Sequence, residues 1–378
     1  MRILVLGAGY AGVTLARRLE SLLPSEADVL VVNDAETHLV QHEVHRVIRR
    51  PSVADAICVP LSAVFDRAEP RVARVESVDR GAREVRLEGG ESLSYDYAAV
   101  CLGAETAHYG LPGVEGHSHP LKRVEDALAI RDAVFEAAAT ADRVRIVVGG
   151  AGLSGVQTAG ELAALAREEE IDADVTILER LGDVAPAFPP NFRAAVRAAL
   201  EERGVDVRTG TTVVRAAGDA VETAEGTVPS DVFVWTGGIG GAAAMGGDRP
   251  VVRSDLRLDD RTFAVGDAAR VVDADGEAVP ASASAAIREA RAAATNISRL
   301  VEHELDGGGG FAPRLEPYRF DVPGWIVSVG DGAVAQLGPT VLTGAPAKAL
   351  KTSVGAGHLA SVGAIRNAAE LAEAELGE

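Results

Sequence analysis

Hydrophobic positions along the chain follow a grammar of short apolar runs and helical stripes that is used twice. Arg2 to Leu6 is almost continuously apolar; a glycine turn follows, then apolar positions at helical spacing through Leu15, Leu19 and Leu22, then a second run from Asp28 to Val32. Runs without alternation predict strands covered on both faces, as in a parallel sheet. The order returns at Arg143 to Val148, with a helix predicted from about Leu153 to Glu169 and a strand at Val175 to Leu178. The turns begin at Gly7 and Gly150, so the repeat spans 143 residues, too long for a solenoid and right for a duplicated domain.

The rest of the pattern fills in around these copies. Arg71 to Val100 alternates in strand fashion and ends in YDYAAVCLGAE. After the second copy come a predicted helix near Asn191 to Arg203, short strands near Val205 to Arg208 and Thr212 to Arg215, and a buried strand in DVFVWTGG from Asp231. Glycines 237, 238, 240, 241, 246 and 247 predict an irregular return crossing. TFAVGDAA then leads to an alanine-rich helix from about Ser284 to Val301, and Gly307 to Gly310 reads as a flexible linker to a small strand-rich unit with a final helix.

Three glycine turns carry the candidate chemistry. In Gly7-Ala8-Gly9-Tyr10-Ala11-Gly12, set between strand and helix, Gly7 permits the tight turn and Gly9 lets the backbone approach a pyrophosphate. Gly12 lets the helix pack closely, and the helix N-terminus faces the phosphates. An acidic residue is expected at the end of the next strand to hold a ribose; Asn33 stands there and Asp34 follows, and either can accept a hydroxyl. The second turn, Gly150-Ala151-Gly152-Leu153-Ser154-Gly155, is followed by a strand ending in Glu179, whose carboxylate suits both hydroxyls of an adenosine ribose and repels a 2′-phosphate. That favours NADH, while Arg180 beside it keeps NADPH open. In Phe263-Ala264-Val265-Gly266-Asp267-Ala268-Ala269, a strand, Gly-Asp and a small-residue helix place Asp267 beside a helix start, in reach of a ribityl hydroxyl; a simple turn or N-cap is the alternative.

Composition narrows the choice. A net charge of −19 argues against a nucleic-acid partner, which needs a basic footprint. Arginine far outnumbers lysine, present only at 122, 348 and 351, a balance that suits a halophilic protein or an acidic one from a high-GC genome. Cys58 and Cys101 form no CxxC pair, which removes the usual zinc site and a redox disulfide and leaves two buried structural thiols. His38, His42 and His45 lack the cysteines or paired carboxylate of a metal set, and His117 and His119 sit in a loop expected to be solvated. No metal is expected. No apolar run reaches a membrane span, and the N-terminal run reads as strand and turn rather than signal peptide, so a cytoplasmic location is expected.

Two fingerprints in this order, YDYAAVCLGAE between them, VFVWTGG after the second and FAVGDAA later resemble the pyridine-nucleotide-dependent flavoproteins. Within them the chain is most similar to type II NADH dehydrogenases, single-subunit NADH:quinone oxidoreductases; His38 and Gln41, LPGV at 111–114, APAF at 185–188 and Tyr318-Arg319-Phe320 support that branch. The resemblance implies an α/β fold of two Rossmann-like domains of the glutathione-reductase type plus a small C-terminal α+β domain. FAD would occupy 1–110 and 245–306, NAD(H) 111–244, and the third domain 311–378. It implies FAD at Gly7, Gly9, Tyr10, Ala11, Gly12, Asn33, Asp34, Gly103, Gly266 and Asp267. NAD falls on Gly150, Gly152, Leu153, Ser154, Gly155, Glu179 and Gly237, and a hydride passes to the flavin and on to a quinone.

The chain also departs from that branch. The glutamine-bearing helix after the GDA turn reads AAIREA, so Arg288 and Glu289 become the acceptor-site candidates. Gln157 stands where a glutamate is usual near the nicotinamide, and is the candidate for positioning its carboxamide. The C-terminal stretch offers Leu359, Val362, Ile365 and Leu371 on a helical stripe but turns acidic at Glu370, Glu373 and Glu375, so it is expected to pack on the body or on a second copy in a homodimer. Peripheral contact with the inner face of the membrane is the other reading of this tail. A soluble reductase of a protein partner such as ferredoxin, and a non-catalytic redox sensor, remain alternatives.

Overall fold

The computed structural model describes residues 1–376. The first unit runs β1 (Arg2–Leu6), α1 (Tyr10–Leu22), β2 (Asp28–Asn33), β3 (Glu69–Val72) and β4 (Tyr97–Val100). The second repeats it as β5 (Val144–Gly149), α2 (Leu153–Glu168), β6 (Ala173–Glu179), β7 (Asp206–Thr209) and β8 (Val232–Trp235). The chain then returns to the first sheet with β9 (Thr262–Ala264), which pairs with β4. The sheets are ordered β9-β4-β1-β2-β3 and β7-β6-β5-β8 and are parallel throughout. Each unit inserts a three-stranded antiparallel meander before its β4 or β8, which marks the duplication as structural and not merely a matter of motifs.

Burial explains the unalternating strands. Ile3 to Leu6 and Tyr97 to Val100 are covered on both faces, with helices on one or both sides of a parallel sheet. In each sheet the strand order reverses beside the glycine-turn strand, between β1 and β4 and between β5 and β8. Ligand crevices open at the carboxyl ends of such strands. The outgoing crossing Ala104–Thr106 and the glycine-rich return Ile239–Gly241 pair antiparallel as a ribbon between the units. The alanine-rich helix α3 (Ala283–Leu305) packs along α1, its buried Ala286, Ala290, Ala293 and Ala294 allowing close approach.

The C-terminal part is a meander of β10 (Gly324–Val329), β11 (Gly332–Leu337) and β12 (Thr340–Thr343), followed by two helices, α4 (Ala345–Ser361) and α5 (Ile365–Leu376). The single helix expected there is broken at Gly363, which takes φ +86° and lets Ala364 N–H close back on the Leu359 carbonyl. The break also splits the predicted stripe: Leu359, Val362 and Leu371 are buried, whereas Ile365 is 73% exposed. Helix α5 packs on the body, with Asn367 Nδ2 donating to the carbonyls of Asp55 and Ala56. The side chain of Glu375 and residues 377 and 378 lie outside the described residues. Among those described, no helix is long and apolar enough to cross a membrane. Cys101 is buried as expected, but Cys58 is only half-buried, at the end of a short edge strand.

Candidate active site

Both fingerprints fold into the same cradle. Gly7 and Gly150 take φ +98° and +96°, a region closed to ordinary side chains. A Cβ on Gly12 would lie 1.8 Å from the Gly7 carbonyl oxygen, and one on Gly155 1.9 Å from that of Gly150, so only glycine lets each helix start against its turn. A Cβ on Gly9 or Gly152 would meet nothing within 4 Å. Those two positions thus face open space at the N-termini of α1 and α2, where free N–H groups and the helix dipole favour a phosphate.

The residue after the first glycine is pinned in both copies. Ala8 N–H donates to Asn33 Oδ1 at 2.8 Å, and Ala151 N–H donates to Glu179 Oε2 at 2.8 Å. Glu179 also accepts from Leu181 N–H at 2.8 Å, and it is buried. The Ala8 carbonyl accepts from His38 Nδ1 at 2.8 Å; that of Ala151 accepts from the backbone N–H of Ala185 at 2.7 Å. Burial holds His38 down to about 4 and His358, which sits against it, down to about 3. Both rings are therefore neutral at neutral pH. Since His38 gives its one proton to Ala8, His358 must donate in the 3.0 Å contact between their Nε2 atoms. Helix α4 thereby braces the first cradle.

The cradles converge on an inner cavity of about 300 Å³ lined by Gly9, Tyr10, Ala11 and Gly103 from the first unit, Leu153, Ser154 and Gln157 from the second, and Gly266 and Asp267. The Gly266–Asp267 turn is held from two sides. Gly266 N–H donates to Glu289 Oε2 at 2.7 Å, while Arg249 donates to the carbonyls of Asp267 and Ala269. Burial raises both carboxyls, Glu289 to about 7; for Asp267, Lys122 and Arg249 act against the rise. Open room at Gly9 and Gly103, a carboxylate at Asp267 and a cation at Lys122 fit a flavin dinucleotide's phosphates and polyol. Lys122 and Lys351, two of the three lysines, both line this cavity. Their rarity is the one sequence signal that could have singled them out.

Behind the cavity lies a buried polar cluster that sequence reading missed. Lys351 Nζ reaches both oxygens of Glu43, at 2.9 and 2.7 Å. Burial alone would raise Glu43, but Lys351 and then His42 override it and hold the carboxyl well below its usual range. Tyr10 hydrogen-bonds His42 Nδ1, and Gln157 Nε2 donates to Ser328 Oγ at 3.2 Å. Ser328 in turn bonds His45 Nε2 at 2.7 Å, so all three parts of the chain meet here. A larger cavity of about 950 Å³ adjoins it and shares Tyr10, His42, Leu153, Ser282, Ala283, Ile326 and Val354 with it.

A profile of the family described as pyridine nucleotide-disulphide oxidoreductase matches residues 1–290, more than half of the chain. The chain belongs to that family. Its relatives include the type II NADH:quinone oxidoreductase of Staphylococcus aureus, 27% identical over 335 residues that make up 80% of this chain and 83% of the relative. NDH2 from Plasmodium falciparum, solved in complex with NADH, superposes with a TM-score of 0.83 at 13% identity, over 98% of this chain and 97% of that one. The sulfide:quinone oxidoreductase of Aquifex aeolicus gives 0.78 at 19% identity, over 97% and 92%. These likenesses carry the two-Rossmann fold expected from the sequence across nearly the whole molecule.

For this member of the oxidoreductase family, several site expectations need correction. Glu289 does not line the larger cavity; it turns inward under the Gly266 turn, and only Arg288 of that pair faces the cavity. Asp34 points to Arg123 Nη2 at 2.7 Å, so Asn33 alone reaches the first turn. Asp267 lies on a single helical turn, Gly266–Ala268, and the helix that faces the cavity starts only at Ala283, capped by Ser282. Gly237 abuts Gly150 from the end of β8. His119 is half-buried in a backbone bridge to β8 rather than solvated.

Proposed function

We propose that this chain is an FAD-dependent NADH dehydrogenase that hands electrons to a quinone-type acceptor. One observation carries the reading: two open dinucleotide cradles converge on one inner cavity, whose wall is shared with a second, larger cavity. FAD held there would supply the hydride-accepting and electron-transferring chemistry between nicotinamide and acceptor. The chain's residues bind and orient. Gly9 and the N-terminus of α1, which Gly12 lets start against its turn, take the FAD pyrophosphate, with Asp267 toward the polyol. Gly152 and the N-terminus of α2, which Gly155 lets start against its turn, take that of NADH. Glu179, already accepting two backbone N–H groups, keeps lone pairs for ribose hydroxyls and opposes a 2′-phosphate. Gln157, fixed by Ser328, presents its amide to the nicotinamide side of the inner cavity.

The larger cavity is the acceptor's place, walled by Ile287, Trp325, Ile326 and Val354, with the 48% exposed Val354 suiting delivery from a membrane's inner face. Transfer to a soluble protein is the second reading, favoured by the packing of α5 on the body. Anaerobic mixing with NADH, then turnover with a soluble quinone, tests the proposal. A flavin bleached by NADH and reoxidised by the quinone is expected; a flavin inert to NADH overturns it.

A further inference from the structure

The larger cavity runs against the charge of the chain. Acidic residues number 56 against 37 lysines and arginines, yet Arg17, Arg18, Arg288 and Arg291 line this cavity and no aspartate or glutamate does. Elsewhere arginines sit on carboxylates, as Arg145 does on Asp231 and Arg203 on Asp331. Here Arg17 donates to the carbonyls of Val64 and Val362, and Arg288 to Ser284. Arg18 and Arg291 are exposed and make no ion pair among the described residues. Burial keeps His358 neutral, and four guanidinium groups bring positive charge to the cavity.

Arginine forks in a carboxylate-free, partly apolar enclosure recognise planar or tetrahedral oxyanions. Resting on the reading of this cavity as the acceptor's, we propose that it takes an acceptor bearing an anionic group, of sulfonate, carboxylate or phosphate type, beside its apolar reducible ring. The ring meets Ile287, Trp325 and Ile326, and the anion meets Arg18, Arg288 and Arg291. The anion is a bystander to the chemistry. NADH and one proton from water reduce the quinone to its hydroquinone, and NAD⁺ is released. The acceptor's own charge suits the site better than a lipid headgroup does. Arg288 is half-buried within the cavity, where a group on the acceptor itself reaches it more readily than a headgroup held in a lipid surface.

The test compares a sulfonated naphthoquinone with its unsubstituted parent on the FAD-loaded protein, in wild type, R18Q/R291Q and R18K/R291K. The ratio of kcat/KM, sulfonated over parent, falls about tenfold in R18Q/R291Q and stays within about threefold in R18K/R291K, with wild-type preference shrinking as salt rises. A redox-inert naphthalenesulfonate, followed by quenching of Trp325, binds in the same order without turnover. An unchanged ratio, or a naphthalenesulfonate that binds no better than naphthalene, overturns the proposal. So does an arginine effect confined to a neutral quinone in phosphatidylglycerol vesicles and absent in phosphatidylcholine. If neither ring is reduced while the naphthalenesulfonate still binds through the arginines, the proposed function falls and the anion site stands.

Discussion

The two cradles share a backbone and differ in what holds it. In the first, Ala8 is pinned by two neutral side chains, Asn33 on its N–H and His38 on its carbonyl, and His38 leans on a helix from the far end of the chain. In the second, Ala151 is pinned by the carboxylate of Glu179 and a backbone N–H from Ala185. The first is a neutral, cross-braced seat, suited to a cofactor that stays. The second is local and charged, suited to a ligand that exchanges and is chosen by its ribose. Glycine spacing makes the turn; the residue at the end of the next strand sets its character.

The largest effect separates the seats outright. Gly12→Val drives a side chain into the Gly7 carbonyl and should yield colourless protein, whereas Gly155→Val should yield yellow protein that NADH fails to bleach. Loss of flavin from both variants would show that the cradles are not independent. Next, Glu179→Ala removes the carboxylate proposed for the ribose, and one charge-assisted bond of that kind is worth about 1.5–3 kcal/mol. At about 1.4 kcal/mol per tenfold, KM for NADH should rise about ten- to hundredfold while NADPH improves relative to it. Unchanged selectivity would remove Glu179 from ribose recognition.

A third test uses pH against the turn found only on the first side. Burial raises Glu289 from 4.5 to about 7, so its favourable, protonated state is fully present below 4.5 and is lost as pH rises through about 7. Wild type should therefore lose up to about 3 kcal/mol relative to Glu289→Gln across that window, read from denaturant midpoints. A difference independent of pH would contradict the burial of an ionisable Glu289. The smallest effect is that of Asn33→Ala. It removes one neutral bond worth about 1 kcal/mol and should weaken flavin retention only a few-fold, less than Glu179→Ala weakens NADH.

What the sequence makes legible follows from how local each cause is. The strand–turn–helix copies and the glycine-rich return crossing rest on glycines and apolar runs whose meaning is fixed within about ten residues, whereas the pairing of that crossing into a ribbon needs Ala104–Thr106 from far along the chain. Gly9 and Gly152 open to space where the spacing places them, and Gln157 lies in the inner cavity. What escaped is what depends on distant parts meeting. Glu43 means little until Lys351, more than 300 positions away, reaches it. His38 looks like one of a local trio until His358 closes on it. Glu289, one residue from Arg288, points the other way because neighbouring positions on a helix lie about 100° apart. A four-residue pattern cannot say which of the two faces the cavity.

One protein is expected to hold two dinucleotides, with their reactive ends meeting in the inner cavity. An anaerobic absorbance titration of the purified protein tests it most directly. A flavin spectrum is expected as isolated, bleached by about one equivalent of NADH per flavin and far more slowly by NADPH. Protein without flavin after reconstitution with FAD, or a flavin that NADH leaves oxidised, would contradict it.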